Sequence, residues 1–297
     1  MNAFNRRQFL LYLLSVASLQ RALFTSAQES KSTQDFKLGC FTRPWDAWDI
    51  ETALDGIAKA GFEYCGLMTA KGKSGSVITP LTTAEEARQI LNLVQKRKLK
   101  ILCVYGEFGN LQPSDKWQKY LKQLLDNVAA CESPFLLLGG TTDKNLHEKY
   151  YETVQKLCDY ALWKKITITV KPHGGTNATS QDLKKISEFV NKPNFKIWYD
   201  PGNIFYYSDA KINPLDDVIH SKGIIAGCSI KDYRHPKDVN VTPGNGMVNF
   251  YELFKRFKKL DFTNGPLLIE CLAKGDFEFV TNEAKMAKDY IARITKS

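Results

Sequence analysis

Four apolar runs in the second half of the chain end on ionisable side chains. They read Thr169-Val170-Lys171-Pro172-His173, Trp198-Tyr199-Asp200-Pro201-Gly202-Asn203, Ser229-Ile230-Lys231-Asp232-Tyr233-Arg234-His235 and Leu267-Leu268-Ile269-Glu270-Cys271. A charge at the tip of an apolar strand is costly to desolvate unless it is paired or used. Taken singly, each is accounted for by a structural ion pair, Lys231-Asp232 included. All of them in register at one end of a sheet would instead form a site, with three carboxylates, two ammonium groups, a guanidinium and two imidazoles. Such a set supports proton transfer and the stabilisation of developing negative charge. Arg43, Lys231, Arg234 and His235 are groups suited to holding hydroxyls, carboxylates or phosphate. Trp45, Trp48, Tyr105, Tyr206 and Tyr207 follow strand ends, where rings stack on sugars or simply pack.

The elements that must position these residues are legible as an alternation. Short apolar runs fall at Lys37–Thr42, Phe62–Met68, Ile101–Tyr105, Pro134–Gly139, Ile166–Lys171, Phe195–Asp200, Ile224–Lys231 and Leu267–Cys271. Segments of helical period separate them. Ala84, Ala87, Ile90, Leu91 and Val94 make one apolar stripe; Trp117, Tyr120, Leu121, Leu124, Leu125 and Val128 make another; Ala284, Ala287, Tyr290, Ile291 and Ile294 make a third. Thr83 with Glu86, Ser114 before Trp117, and Ser180 before Leu183 are candidate caps. Eight strand-plus-helix units predict an α/β fold, a single-domain (β/α)8 TIM barrel over residues 36–297. The first strand runs into Thr42-Arg43-Pro44-Trp45 rather than a Gly-x-Gly-x-x-Gly turn, which argues against a dinucleotide fold. In a barrel the four charged strand ends all lie at the C-terminal mouth.

The N-terminal residues read as an address rather than as fold. Arg6 and Arg7 precede an apolar run from Phe9 to Leu19, too short to span a bilayer comfortably. Thr25-Ser26-Ala27 then offers small residues for cleavage. The expectation is an export signal over residues 1–27, of twin-arginine type, a linker over 28–35 and a periplasmic or extracytoplasmic protein without stable membrane insertion. Removing residues 1–27, which carry Arg6, Arg7 and Arg21 and no acid, lowers the formal charge from +9 to +6. The remaining basic clusters, Lys96-Arg97-Lys98 and Lys255-Arg256 with Lys258-Lys259, sit on helical patterns and read as solvated faces. The seven cysteines include no Cys-x-x-Cys pair, and five of them lie in strand-like runs. Buried free thiols fit a chain that folds in a reducing compartment before export.

Gly39-Cys40-Phe41-Thr42, Ala58-Lys59-Ala60-Gly61-Phe62-Glu63, Tyr199-Asp200-Pro201-Gly202-Asn203, Ile230-Lys231-Asp232, Pro243-Gly244-Asn245-Gly246-Met247-Val248-Asn249-Phe250 and Gly265-Pro266-Leu267-Leu268-Ile269-Glu270 together resemble the xylose isomerase-like TIM-barrel sugar isomerases and epimerases. The resemblance covers residues 36–296. It implies a small carbohydrate or polyol as substrate and a proton shift next to a carbonyl. It also implies a divalent ion, Mn²⁺ or Mg²⁺, held by Glu, Asp, His and Glu from strands five to eight. Position by position this chain offers Lys171, Asp200, Ser229 and Glu270. Asp200 and Glu270 are thus metal ligands only if a metal is bound, with His173 or Glu107 as substitutes. An ammonium does not ligate a cation, so Lys171 argues against that site. Its charge instead takes the ion's electrostatic role, with Glu270 moving the proton and His173 as partner acid or base. On this reading Lys171, Glu270, Asp200 and His173 are catalytic, and Lys231, Arg234, His235, Glu107, Asn203 and Trp45 bind substrate. A lyase or aldolase using Lys171 as a Schiff base, and a barrel that binds sugar without turnover, are the alternatives. The apurinic endonucleases share this fold but rely on a histidine-rich trinuclear site. With four histidines here, two of them, His147 and His220, in helical segments, no nucleic-acid partner is expected.

Overall fold

Short apolar strands, each followed by a segment that includes a helix with one apolar face, have one economical way to bury both faces of the strands: a closed parallel sheet wrapped in helices. The computed structural model describes residues 35–73, 75–109 and 113–296. The expected export signal at 1–27, and the linker as far as residue 34, lie outside the described residues. The strands are β1 (Asp35–Phe41), β2 (Tyr64–Leu67), β3 (Lys100–Tyr105), β4 (Phe135–Leu138), β5 (Thr167–Val170), β6 (Phe195–Tyr199), β7 (Ile225–Ile230) and β8 (Asn264–Ile269). They pair in sequence order, all parallel, and β8 returns to β1 to close the barrel. The helices are α1 (Ile50–Lys59), α2 (Ala84–Lys96), α3 (Trp117–Ala130), α4 (His147–Trp163), α5 (Ser180–Val190), α6 (Pro201–Ser208), α7 (Pro214–Asp217), α8 (Phe250–Lys259) and α9 (Phe277–Ile294). The expected barrel stands, beginning one residue earlier, at Asp35.

The period of two along each strand divides its side chains between two cores. One set, including Leu136, Leu138, Ile168, Val170, Ile197, Ile230, Leu267 and Ile269, packs against the helices. The other set fills the barrel interior, where Phe41, Met68, Leu102, Leu137, Trp198 and Leu268 form a separate cluster. Space for the two largest rings comes from glycines: a Cβ on Gly227 would strike the Trp198 ring, and one on Gly66 would strike Phe41.

The helix stripes face the barrel as their spacing predicts. Ala87, Ile90 and Val94 of α2 are buried, as are Trp117, Leu121, Leu124, Leu125 and Val128 of α3. Thr83 and Glu86 form a reciprocal capping box. Two expected caps differ. Thr179 rather than Ser180 caps α5, with Asp182 closing its box, because the Ser180 hydroxyl is taken by Asp217 at 2.5 Å. Ser114 opens a 3₁₀ turn ahead of α3, and its hydroxyl accepts from Lys149 Nζ at 2.8 Å.

All seven cysteines are buried and free. Cys40, Cys65, Cys103 and Cys228 lie within strands, and Cys271 lies two residues past β8. Among the described residues, no helix is long and apolar enough to cross a membrane.

Filling the space above Gly227 tests the interior packing. Gly227→Ala should lower stability by about 1–3 kcal/mol through overpacking against Trp198, read as a fall in the urea midpoint at constant slope.

Candidate active site

Two residues beyond the interior layer, the same inward direction carries a layer of charge. Phe41, Thr169, Trp198, Ser229 and Leu268 are followed at i+2 by Arg43, Lys171, Asp200, Lys231 and Glu270. These second residues lie just past the strand ends, where the chain leaves the sheet and a long side chain turns over the mouth.

Lys171 Nζ lies 2.8 and 2.9 Å from the two Glu270 oxygens and 3.4 Å from Asp200 Oδ2. Lys231 Nζ lies 2.6 Å from Glu270 Oε1, 3.1 Å from Asp200 Oδ2 and 2.9 Å from Asn203 Oδ1. Arg43 approaches from above, its guanidinium donating to Glu270 Oε1 at 2.9 Å. Below, the Ser229 hydroxyl donates to Glu270 Oε2 at 2.6 Å and accepts from the Trp198 indole at 3.1 Å. Three cations thus enclose two carboxylates. Burial alone would raise the Glu270 carboxyl, but Lys171, Lys231 and Arg43 outweigh it and hold it well below the usual carboxylate range. Burial alone would lower Lys231, but Asp200 and Glu270 raise it above the ordinary lysine value.

Asp200 has a second task. Its Oδ1 accepts from the Asn203 amide at 2.9 Å and so caps α6, whose first residue is Pro201. Asn203 ties this turn to the next strand end by donating to the Pro172 carbonyl at 2.6 Å.

Beside the cluster, around Gly139, lies a second group. The place a Cβ would occupy on Gly139 is 2.5 Å from Glu107 Oε1, 3.0 Å from the Tyr105 hydroxyl and 3.1 Å from His173 Nδ1. Burial pushes His173 down to about 3, helped by the charges of Lys171 and Lys231, so its imidazole is neutral. Tyr105 joins this group to the ion cluster, with Lys171 Nζ 5.5 Å from its ring centroid. Tyr105 and Glu107 also line a cavity of about 630 Å³, together with Lys73, Ser76, Val77, Thr79 and Glu86 among others. That size suits a small-molecule site, for which pockets of roughly 300–1,000 Å³ are usual.

The structure thus brings together Lys171, Asp200, Lys231, Asn203 and Glu270, with His173 and Glu107 alongside. Three expected contributors lie elsewhere. Trp45 is fully buried in the helix-facing core, where its ring packs against Gly56 of α1; it offers no face to a ligand. Arg234 is exposed, and its guanidinium lies 3.9 Å from Asp238. His235 is exposed in the same loop, its Nδ1 3.5 Å from the Tyr233 hydroxyl. That loop is held by Asp232, which accepts from the amides of Tyr233, Gly244, Gly246 and Val248 instead of pairing with Lys231. Arg43 is the cation that sequence reasoning left undecided; its signal was its place two residues after an inward Phe41.

The donors do not fit a divalent ion. Among the described residues, no group of three or more His, Cys, Asp and Glu side chains is arranged to hold one. The physical obstacle is that both candidate ligands already face ammonium groups, so an added cation would meet repulsion from Lys171, Lys231 and Arg43.

A closed (β/α)8 barrel with its ionisable layer at the C-terminal strand ends is the enzyme-type arrangement of this fold. A family model described as xylose isomerase-like TIM barrel matches residues 54–296, and the chain belongs to that family. Among solved structures, D-psicose 3-epimerase with D-tagatose from Clostridium cellulolyticum H10 is similar at a TM-score of 0.70 and 13% identity, over 88% of this chain and 100% of that one. D-allulose 3-epimerase from Methylomonas sp. in complex with D-allulose is similar at 0.68 and 16%, over 88% and 97%. The probable 3-DHS dehydratase from Bacillus anthracis is similar at 0.63 and 14%, over 84% and 98%. At these identities the likeness is one of fold. No curated protein sequence matches the chain.

The cluster's stability is linked to pH. A carboxyl whose pKa is depressed on folding contributes stability above its unfolded value of 4.5 and loses it as pH falls towards its folded value. Acid unfolding should therefore draw on Glu270 below that pH. Glu270→Gln, which leaves three cations facing Asp200 alone, should cost about 3–5 kcal/mol at neutral pH and flatten the acid limb of the stability curve.

Proposed function

We propose that the protein is a sugar isomerase or epimerase that shifts a proton on a carbon next to a carbonyl, with side-chain cations in place of a divalent ion. The observation that carries this reading is the Lys171 ammonium seated between Glu270 and Asp200, with Lys231 and Arg43 beside it. The cluster holds three positive charges against two negative ones. The excess suits the oxygen of a sugar carbonyl as it becomes an enolate. Because the carboxylates fix the cations in place, little reorganisation is needed when that charge develops.

Family membership supports a carbohydrate ligand, as do the similar folds of D-psicose, D-allulose and L-ribulose 3-epimerases. The aldolase alternative is disfavoured by the bonding of Lys171. Schiff-base formation needs a neutral amine, whereas this Nζ donates to both Glu270 oxygens and to Asp200. Export belongs to the same proposal. Residues 1–27 supply the signal, and seven buried free thiols support folding in a reducing compartment first.

The direct test is to incubate the protein with D-fructose, D-tagatose or D-allulose and follow mass-conserving products by chromatography, with and without EDTA. Conversion at the same rate in EDTA is the expected result. Lys171→Met, with its fold checked by circular dichroism, should lose at least ~100-fold in rate. Absence of conversion of any sugar, or loss in EDTA with rescue by Mn²⁺, overturns the reading. For export, the mass of the protein recovered from the periplasm of an expressing bacterium should correspond to a chain beginning at Gln28.

A further inference from the structure

Proton transfer needs a group that is free to take a proton, and the ion cluster does not offer one. Glu270 Oε1 accepts from Arg43, Lys171 and Lys231, and its Oε2 accepts from Lys171 and Ser229. Asp200 is shared among the Asn203 amide, Lys171 and Lys231. Both are engaged as anions on every side, and protonating either would leave buried cations without a partner.

Glu107 is placed differently. It follows β3, half-buried, and faces the cavity beside Tyr105. Its Oε1 accepts from the Gly139 amide at 2.6 Å, and its Oε2 lies 3.5 Å from the Tyr150 hydroxyl of α4. No cation lies within ion-pair distance of it among the described residues. Glycine at 139 lets Glu107 Oε1, the Tyr105 hydroxyl and His173 Nδ1 approach one another where a Cβ would otherwise stand. Lys171 reaches the same neighbourhood, its Nζ 5.5 Å from the Tyr105 ring centroid.

We propose that Glu107, not Glu270, is the residue that removes and returns the substrate proton, with the Tyr105 hydroxyl as its companion donor; this rests on the proton-shift reading above. In the forward step the Glu107 carboxylate takes the hydrogen from the carbon next to the carbonyl as a proton. The C–H electron pair becomes the C=C bond of an enediolate, and the carbonyl π pair moves to oxygen, where the Lys171 side of the site faces it. Glu107 then returns the proton to the former carbonyl carbon while the Tyr105 hydroxyl relays the proton of the neighbouring hydroxyl to the enediolate oxygen, so the carbonyl moves one carbon along and atoms and charge balance without an oxidant or a second reactant.

The electrostatics agree with the geometry. Burial pushes the Glu107 carboxyl up to about 7, against the opposing pull of the Gly139 amide, Tyr105, Lys171 and Tyr150. A group half-ionised near neutrality is suited to both taking and giving a proton. The titratable groups facing it are Tyr105 from its own strand, Tyr150 and Tyr151 from α4, and Lys171 and His173 from the end of β5 and the loop beyond it. Burial raises the three tyrosines above their ordinary value and His173 is held near 3, so neither they nor the imidazole titrate near neutrality.

The test uses the full chain with D-fructose, D-tagatose and D-allulose in D₂O, with proton NMR following deuterium entry next to the carbonyl. Glu107→Gln should reduce exchange and turnover by at least ~100-fold with KM little changed, and Glu107→Asp should restore part of the rate. Wild-type kcat/KM should fall as pH drops through about 7, since the base is then protonated. Residual exchange by Glu107→Gln should lack that limb. A Glu107→Gln rate within about threefold of wild type overturns the proposal while leaving the proton-shift reading in place. If the wild type neither exchanges nor converts any of the sugars, the functional reading fails first and the proposal with it. Independently of any substrate, a ¹³C-carboxyl titration that places Glu107 at the ordinary glutamate value overturns the proposal.

Discussion

Five charges meeting in one layer, four of them buried and Arg43 partly exposed, impose the constraint on which the mouth of this barrel depends. None of Lys171, Lys231, Asp200 and Glu270 could be buried alone without a large penalty, and each is paired with opposite charge from the others. Glu270 is the hub, since all three cations reach it. The layer beneath serves the same end. Ser229 supplies a small hydroxyl that fills the last acceptor site of Glu270 while receiving the Trp198 indole hydrogen. Trp198 fits there because Gly227 has no side chain to oppose it. The polar layer and the apolar plug therefore depend on one another.

This arrangement also separates two glutamates by environment. Glu270 is fully buried in the ion cluster, and Glu107 is half-buried at the cavity beside Tyr105. Three cations hold Glu270 ionised, whereas Glu107 meets amide and hydroxyl donors and only a more distant ammonium, so desolvation dominates its titration. Two like groups with opposed shifts are the usual arrangement by which one site holds charge in one place and moves protons in another. A fixed cation cluster differs from a metal ion in one respect that bears on chemistry. Its charge is spread over three side chains that reach in from three strand ends, so its geometry follows from the barrel and not from a coordination sphere.

The fold was legible because it rests on local periodicity. The strand runs, the α2 and α3 stripes and the Thr83–Glu86 box follow from spacings of two and three to four residues, which survive in any tertiary setting. Site membership was legible only in part. Lys171, Asp200, Lys231 and Glu270 stood out as charges ending apolar runs. Trp45 misled because a Trp after a strand end can face either the mouth or the helix layer, and the 3₁₀ turn at Arg43–Trp45 directs it to the helices. Arg234 and His235 misled because Asp232 pins a loop that carries them out to solvent.

What the chain by itself determined is therefore the alternation of elements, the closure it implies, and which residue types stand at the strand ends, because these depend on neighbours close in sequence. What only the tertiary structure decided is which charges meet. Lys171 and Glu270 are 99 residues apart, and their contact exists because β8 closes onto β1 and returns its end to the mouth. The convergence of Glu107, Tyr105 and His173 on one missing Cβ is likewise a product of the strand order β3-β4-β5. Titration behaviour is decided at the same level, since desolvation and through-space charge depend on what lies within a few ångströms and not on what lies next along the chain.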